Sequence, residues 1–333
     1  MLAAHKKKLI YQKSFGYTTA QKQVLTNLNN LYDLASITKT AATTLAIMKL
    51  YEGRKLSLTD TLGKWFPLFN GTSKAGITVK ELLTHEGGLV PFIPFYKYFQ
   101  SKTTNDLDTT YFSNQFSVDF SLPVSNNLFA AKAVLPIIDS LMLTSKTTSK
   151  GIYVYSDMDF ILLGRIVEQI AGKSLDEYVK ETFYNPLQLA SLTFRPATDF
   201  VMEAIVPTEN DLLFRNQLIH GYVHDEGAAL MGGIAGHAGL FGNAYDLAYL
   251  YQLLLNNGNN GLIQILQPAT IQLFTSYAGT NSRRGLGFDK PEKNNAFDKN
   301  PYPCFSASTT SFGHTGFTGT CVWADPENEL VFV

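Results

Sequence analysis

The stretch Tyr32-Asp33-Leu34-Ala35-Ser36-Ile37-Thr38-Lys39 decides how the rest of the chain is read. Ser36 and Lys39 open a run with helical spacing. Ile37, Ala41, Leu45, Met48 and Tyr51 share one face of it, and Gly53 follows as a stop. Residues three apart on a helix are neighbours, with Cβ atoms about 5–6 Å apart. A serine hydroxyl becomes a useful nucleophile only when a base takes its proton. A lysine can be that base where its surroundings lower its pKa. The helix start adds N–H groups and a positive dipole end where an oxyanion would form. Taken alone, Ser-x-x-Lys is a weak signal, and a capping serine with a solvated lysine is its commoner meaning.

Two later segments add weight. Tyr155-Ser156-Asp157 precedes a helical run over 156–171, with Ser156 in an N-cap position and Gly172 as a stop. A tyrosine hydroxyl beside a cation can relay protons. Near the C-terminus, His314-Thr315-Gly316-Phe317 lies in a strand-like stretch. A strand glycine lets another backbone come close, and histidine can carry charge near neutral pH.

Serine–lysine, then Tyr-Ser-Asp, then His-Thr-Gly is the order of the S-x-x-K acyl-transfer enzymes. The chain resembles the serine β-lactamase-like family, which includes class C β-lactamases, D-alanyl-D-alanine carboxypeptidases and related esterases. The resemblance extends to Leu56-Ser57-Leu58-Thr59-Asp60, to Thr78-Val79-Lys80-Glu81-Leu82-Leu83-Thr84-His85, and to the stretches 232–242 and 313–326, so that it covers nearly the whole chain. It implies that Ser36 is acylated, that Lys39 and Tyr155 share the base role, and that the N–H groups of Ser36 and Phe317 form the oxyanion hole. Asp157, His314, Thr315, Gly316 and Phe317 would bind substrate. Asp157 stands where many relatives carry Asn, and an ionised Asp only accepts hydrogen bonds. It is suited to hold Lys39 as a cation, which opposes a lysine base. His314 stands where many relatives carry Lys, which favours an esterase-like or peptidase-like member over an efficient β-lactamase.

The expected fold is α/β (α+β): one antiparallel sheet flanked by helices, with an inserted mainly helical lobe. A hairpin at 1–17 and strands at 310–317, 319–324 and the last residues would join both chain ends in that sheet. The sheet lobe is drawn from about 1–60 and 265–333 and the helical lobe from about 61–264, within a single domain spanning 1–333. Further helices are expected at 78–84, from Ser174 with Glu177, from Asn243 with Asp246 to near Gly258, and at 268–277. The stretch 90–150 shows little periodicity, and its Phe92, Phe95, Tyr96, Tyr98, Phe99, Tyr111 and Phe112 read as core, with a lid as the alternative.

Composition narrows the functional classes. Charged residues are 17% of the 333 and the formal net charge is −1, so nothing points to nucleic acid. No apolar run is long enough to cross a membrane. Cys304 and Cys321 form no CxxC and read as free thiols. His220, His224 and His237 have metal-like spacing, but Gly221 and Val223 make a poor helix. No metal and no cofactor are expected. The Gly-rich stretch 232–239, with His237, instead reads as a brace for the floor of the site, and His85 with Glu86 as a local cap. The partner is a small-molecule or peptide acyl substrate. The chain reads as a piece of a longer protein, exported or periplasmic, whose leader is absent. A catalytically silent binding domain fused to a cell-wall enzyme is the rival reading.

Overall fold

The computed structural model describes residues 1–104 and 106–333. Strands from both ends of the chain build its largest sheet, which has five antiparallel strands. Their order is Phe312–Thr315, Cys321–Asp325, Leu330–Phe332, Leu2–His5 and Lys8–Gln12. Alternation fixes the register. Phe312 faces Ala324, Ala324 faces Val331, and Val331 faces Ala4, so one row of apolar side chains crosses four strands. The helix Ala244–Leu255 packs over the sheet, and Val322, Ala324, Val331 and Leu2 are buried. The hairpin between the first two strands turns at Lys6 and Lys7, both left-handed, as a two-residue turn of matching twist requires.

The helical run after Ser36 is buried on all sides rather than on one face. Thr38, Lys39, Thr40, Thr43 and Thr44 are as buried as Ile37, Ala41 and Met48. It is therefore a central helix enclosed by others. It begins as a 3₁₀ turn at Ala35–Ile37, widens into a π turn over Lys39–Thr44, and is α-helical over Leu45–Glu52. Such widened turns concentrate at functional sites. The helix Asp157–Ala171 crosses against it and ends at left-handed Gly172. Thr78 with Glu81 and Ser174 with Glu177 both form reciprocal capping boxes. Asn243 caps its helix by accepting from Asp246 N–H at 2.9 Å, and Pro268 opens Pro268–Thr275.

The stretch 90–150 holds more regular structure than its pattern suggests. Phe112–Ser113, Leu128–Ala131 and Phe120–Ser125 form a small antiparallel sheet, and Val134–Thr144 is a helix. Pro136 lies in the first turn of that helix, where its missing N–H costs no intrahelical bond. Phe95, Phe99 and Phe112 are core residues, whereas Phe92 and Tyr98 are exposed. Cys304 and Cys321 are free, the first exposed, the second in the strand Cys321–Asp325. Among the described residues, no helix is long and apolar enough to cross a membrane.

Candidate active site

Ser36, Lys39, Tyr155 and Asp157 meet where the central helix begins. Lys39 Nζ lies 2.9 Å from Ser36 Oγ, and Tyr155 Oη lies 3.0 Å from the same oxygen. Lys39 Nζ also donates to Asp157 Oδ1 at 2.7 Å and to the His237 carbonyl at 3.1 Å. An ammonium has three protons, and here each has an acceptor. Burial alone would strip the charge from Lys39, which is fully enclosed. Asp157, aided by Tyr155, outweighs that penalty and holds its pKa above the ordinary value. The carboxylate expected to oppose a lysine base is thus in contact with the amine.

The Gly-rich stretch braces the floor. Gly236 O accepts from Thr43 Oγ1 at 2.6 Å, and the next carbonyl is the one that receives Lys39. His237 Nε2 meets Asp225 Oδ1 at 2.8 Å. Asp225 also caps the helix Glu226–Leu230 through Ala228 N–H. His220 is used otherwise, with Nε2 against the carbonyls of Met202 and Ile205 at 2.9 and 2.8 Å. Among the described residues no three His, Cys, Asp or Glu side chains converge as ligands, so the three histidines form no metal site.

The strand Phe312–Thr315 brings His314 to the same place, its ring 6.0 Å from that of Tyr155. His314 Nδ1 lies 2.7 Å from the Thr315 carbonyl, which only accepts, so Nδ1 carries the proton. Burial, reinforced by the Arg284 charge, depresses His314 to about 3, and the ring is neutral. Thr315 and Phe317 are exposed, and the Phe317 ring lies 5.1 Å from that of His224. Gly316 is required by crowding: a Cβ there would stand 2.6 Å from the Leu34 carbonyl. Thr318 Oγ1 donates to the Asp33 carbonyl at 2.7 Å, which ties the turn after Gly316 to the residues before Ser36.

Several contributors were not visible in the sequence. Ser156 opens its helix as expected, but its hydroxyl donates to the Val90 carbonyl at 2.6 Å instead of capping. His85 does end its helix, in a left-handed conformation, and also supports Tyr155. Their rings are 4.6 Å apart, and Val154 N–H donates to the His85 carbonyl at 2.9 Å. His85 Nδ1 accepts Ser156 N–H at 3.2 Å while lying 2.7 Å from Asp159 Oδ2. A nitrogen accepting an amide proton carries none, so Asp159 must be the donor, as a neutral carboxylic acid. The shifts agree: burial drives Asp159 well up and His85 well down. Glu86 accepts the N–H groups of Thr280 and Asn281 at 3.1 and 2.8 Å, a brace between distant loops. Arg284 is buried with Cζ 5.2 Å from the Tyr155 ring, and its Nη2 donates to Tyr153 Oη at 3.2 Å.

The family model described as Beta-lactamase matches residues 1–333. An Escherichia coli (strain K12) protein named "Putative D-alanyl-D-alanine carboxypeptidase" is 33% identical over 352 aligned residues, covering 98% of this chain and 74% of that one. Among solved structures, "EstCE1, a hydrolase with promiscuous acyltransferase activity" superposes with a TM-score of 0.69 at 20% identity, over 99% of this chain and 86% of that chain. A penicillin-binding protein homolog from Caulobacter crescentus gives 0.69 at 18% identity, over 99% and 84%. These two structural likenesses speak to the fold.

Proposed function

Because the chain belongs to the beta-lactamase family, we propose that it is a serine acyl hydrolase that attacks an ester or amide carbonyl through Ser36. The observation that carries this reading is a single oxygen, Ser36 Oγ, within hydrogen-bond reach of both Lys39 Nζ and Tyr155 Oη. In the reaction, Tyr155 acts as the phenolate, and its oxygen takes the Ser36 proton as Oγ bonds to the carbonyl carbon. Lys39, kept an ammonium by Asp157, offsets the charge on the phenolate. The tetrahedral oxyanion receives the N–H groups of Ser36 and Phe317, which must fit it better than the ground-state carbonyl. Tyr155 returns the proton to the departing amine or alkoxide, and the Ser36 ester remains. Water then attacks that ester, giving its proton to Tyr155, and the acid leaves as Ser36 is restored.

A peptide ending in D-Ala-D-Ala is the first substrate to test, because the 33% identical relative carries that activity in its name. A neutral ester is the second. Its support is His314, an uncharged ring where a substrate carboxylate would look for a cation. An exported setting suits the first substrate. The decisive experiment incubates wild type and Ser36→Ala with a fluorophosphonate and reads intact mass. Wild type should gain one adduct, mapped to Ser36, and the variant none. Turnover of D-Ala-D-Ala peptides and p-nitrophenyl esters, lost in Ser36→Ala, then ranks the substrates. Equal labelling of both proteins removes the nucleophile assignment, and labelling without turnover favours a silent binding domain.

A further inference from the structure

We propose that Asp33 is a positioning residue for acylation, a two-oxygen clamp that sets Ser36 against the turn following Gly316. This inference rests on Ser36 being the nucleophile. Asp33 is buried and its two oxygens serve different segments. Oδ1 accepts Ala35 N–H at 2.8 Å, and Oδ2 accepts His224 N–H at 2.6 Å. Its own carbonyl accepts the Thr318 hydroxyl. The neighbouring Leu34 N–H donates to the Leu240 carbonyl at 2.9 Å, and Asp33 pairs with Phe241 in the sheet register. One side chain and its backbone therefore hold the nucleophile turn, the 224 segment and the turn 316–320 together.

The clamp has a conformational task. Ala35, directly before Ser36, sits at φ 45°, a left-handed geometry that costs a residue with a Cβ on the order of 1 kcal/mol or more. Charge-assisted bonds from a carboxylate to backbone N–H are about twice as strong as neutral ones. The bond from Ala35 N–H offsets the strain and fixes the direction in which Ser36 leaves the turn. His224 is held on the other oxygen, and its ring lies against Phe317, whose N–H is the second oxyanion donor in the proposed reaction. Loosening Asp33 thus disturbs both the attacking oxygen and the oxyanion site.

Both oxygens accept, so neither Asn nor a protonated Asp can replace the carboxylate. Each turns one acceptor into a donor facing an N–H. Burial lifts Asp33 to about 6 despite its two amide bonds. The charged groups facing it are His224, which favours its ionised form, and Asp225, which opposes it. His224 lies 3.4 Å from Glu209, and Asp225 is engaged by His237. The clamp is intact above that pH and fails as pH falls through it.

The test measures fluorophosphonate acylation rates of the full chain from pH 5 to 8, with melting curves for each variant. Asp33→Asn should still be labelled at Ser36, about 10–100-fold more slowly, the scale of an ångström-level misplacement. For an ester substrate kcat should fall while KM holds. The wild-type profile should carry an inflection near pH 6 that Asp33→Asn lacks. If Asp33→Asn does not fold, Thr318→Val decides, since it deletes only the hydroxyl tie and should slow acylation several-fold. Labelling at Ser36 with unchanged rate and unchanged pH profile overturns the clamp alone. Labelling at another residue overturns the Ser36 reading and the clamp with it.

Discussion

Gly236→Ala is the sharpest probe of how the scaffold holds the site. Gly236 lies where the Gly-rich stretch touches the helix Asp157–Ala171 backbone to backbone. A Cβ on Gly236 would stand 2.9 Å from both Cα and N of Gly164, and closer still to the Phe160 carbonyl. Carbon atoms settle at about 3.5 Å or beyond, so the two segments must part by roughly half an ångström at Gly164 and more at Phe160. Neither obstacle is a flexible side chain. The cost should therefore fall in the upper part of the ~1–3 kcal/mol range for overpacking. At roughly 1.4 °C per kcal/mol for a chain of 333 residues, the melting temperature should drop by about 3–4 °C. The displaced segment carries the carbonyls that receive Thr43 Oγ1 and Lys39 Nζ. Acylation of Ser36 should consequently slow by up to about 100-fold. Gly76→Ala is the control, because nothing lies within 4 Å of its Cβ position and it is exposed. A Gly236→Ala protein that melts and acylates like Gly76→Ala would refute this account of the floor.

Asp157→Asn keeps an oxygen near Lys39 but removes the charge that outweighs burial, so the Lys39 pKa should fall and the basic limb of the kcat/KM profile should move to lower pH; an unmoved limb would show that Lys39 acts in another form. The same change should lower stability by about 1–3 kcal/mol in urea unfolding, the scale of a hydrogen bond to a charged group. His314 is neutral in the folded protein and pushed down to about 3, whereas the unfolded chain takes up that proton near 6.5. Its contribution is complete above about 6.5 and declines as pH falls toward 3. Urea midpoints of wild type should fall over that window, and His314→Gln should flatten the slope. Phe160→Ala empties a fully buried position whose ring lies 5.3 Å from that of His85 and 5.9 Å from Lys39 Nζ; it should cost ~3–5 kcal/mol in chemical denaturation.

The legible parts of this molecule are those whose causes lie close together in sequence. The Ser36–Lys39 contact follows from helical spacing, and the capping boxes at Thr78 and Ser174 from pairs three residues apart. The closing of the sheet by both termini followed from strand patterns at the two ends. The small sheet within 90–150 was hidden because its pairing carries register shifts along Phe120–Ser125, which break the two-residue alternation. Ser156 misled in a different way. Its position is that of an N-cap, but the Val90 carbonyl, 66 residues away, competes for the hydroxyl and wins. Tyr155 and His314 gave only weak local signals, one at a helix start and one on a strand, and the resemblance supplied their roles.

The residues that escaped notice act through charge at a distance, and together they account for a histidine, rather than a lysine, at position 314. Lys39 is balanced by Asp157, and the His85–Asp159 pair has moved its proton so that neither member is charged. Arg283 lies against Glu292 at the surface and takes the nearer share of Asp289, 2.8 Å from its Nε against 3.6 Å for Arg284. The Arg284 charge is therefore only loosely answered, and it depresses both His85 and His314. A lysine at position 314 would be a buried ammonium facing that guanidinium, and like charges out of water repel strongly. A neutral imidazole that gives its one proton to the Thr315 carbonyl avoids the conflict. The positive potential beside Tyr155 thus comes from Lys39 and Arg284 rather than from position 314. No pattern in the sequence could have said so, because Arg284 acts on His314 only in the folded chain.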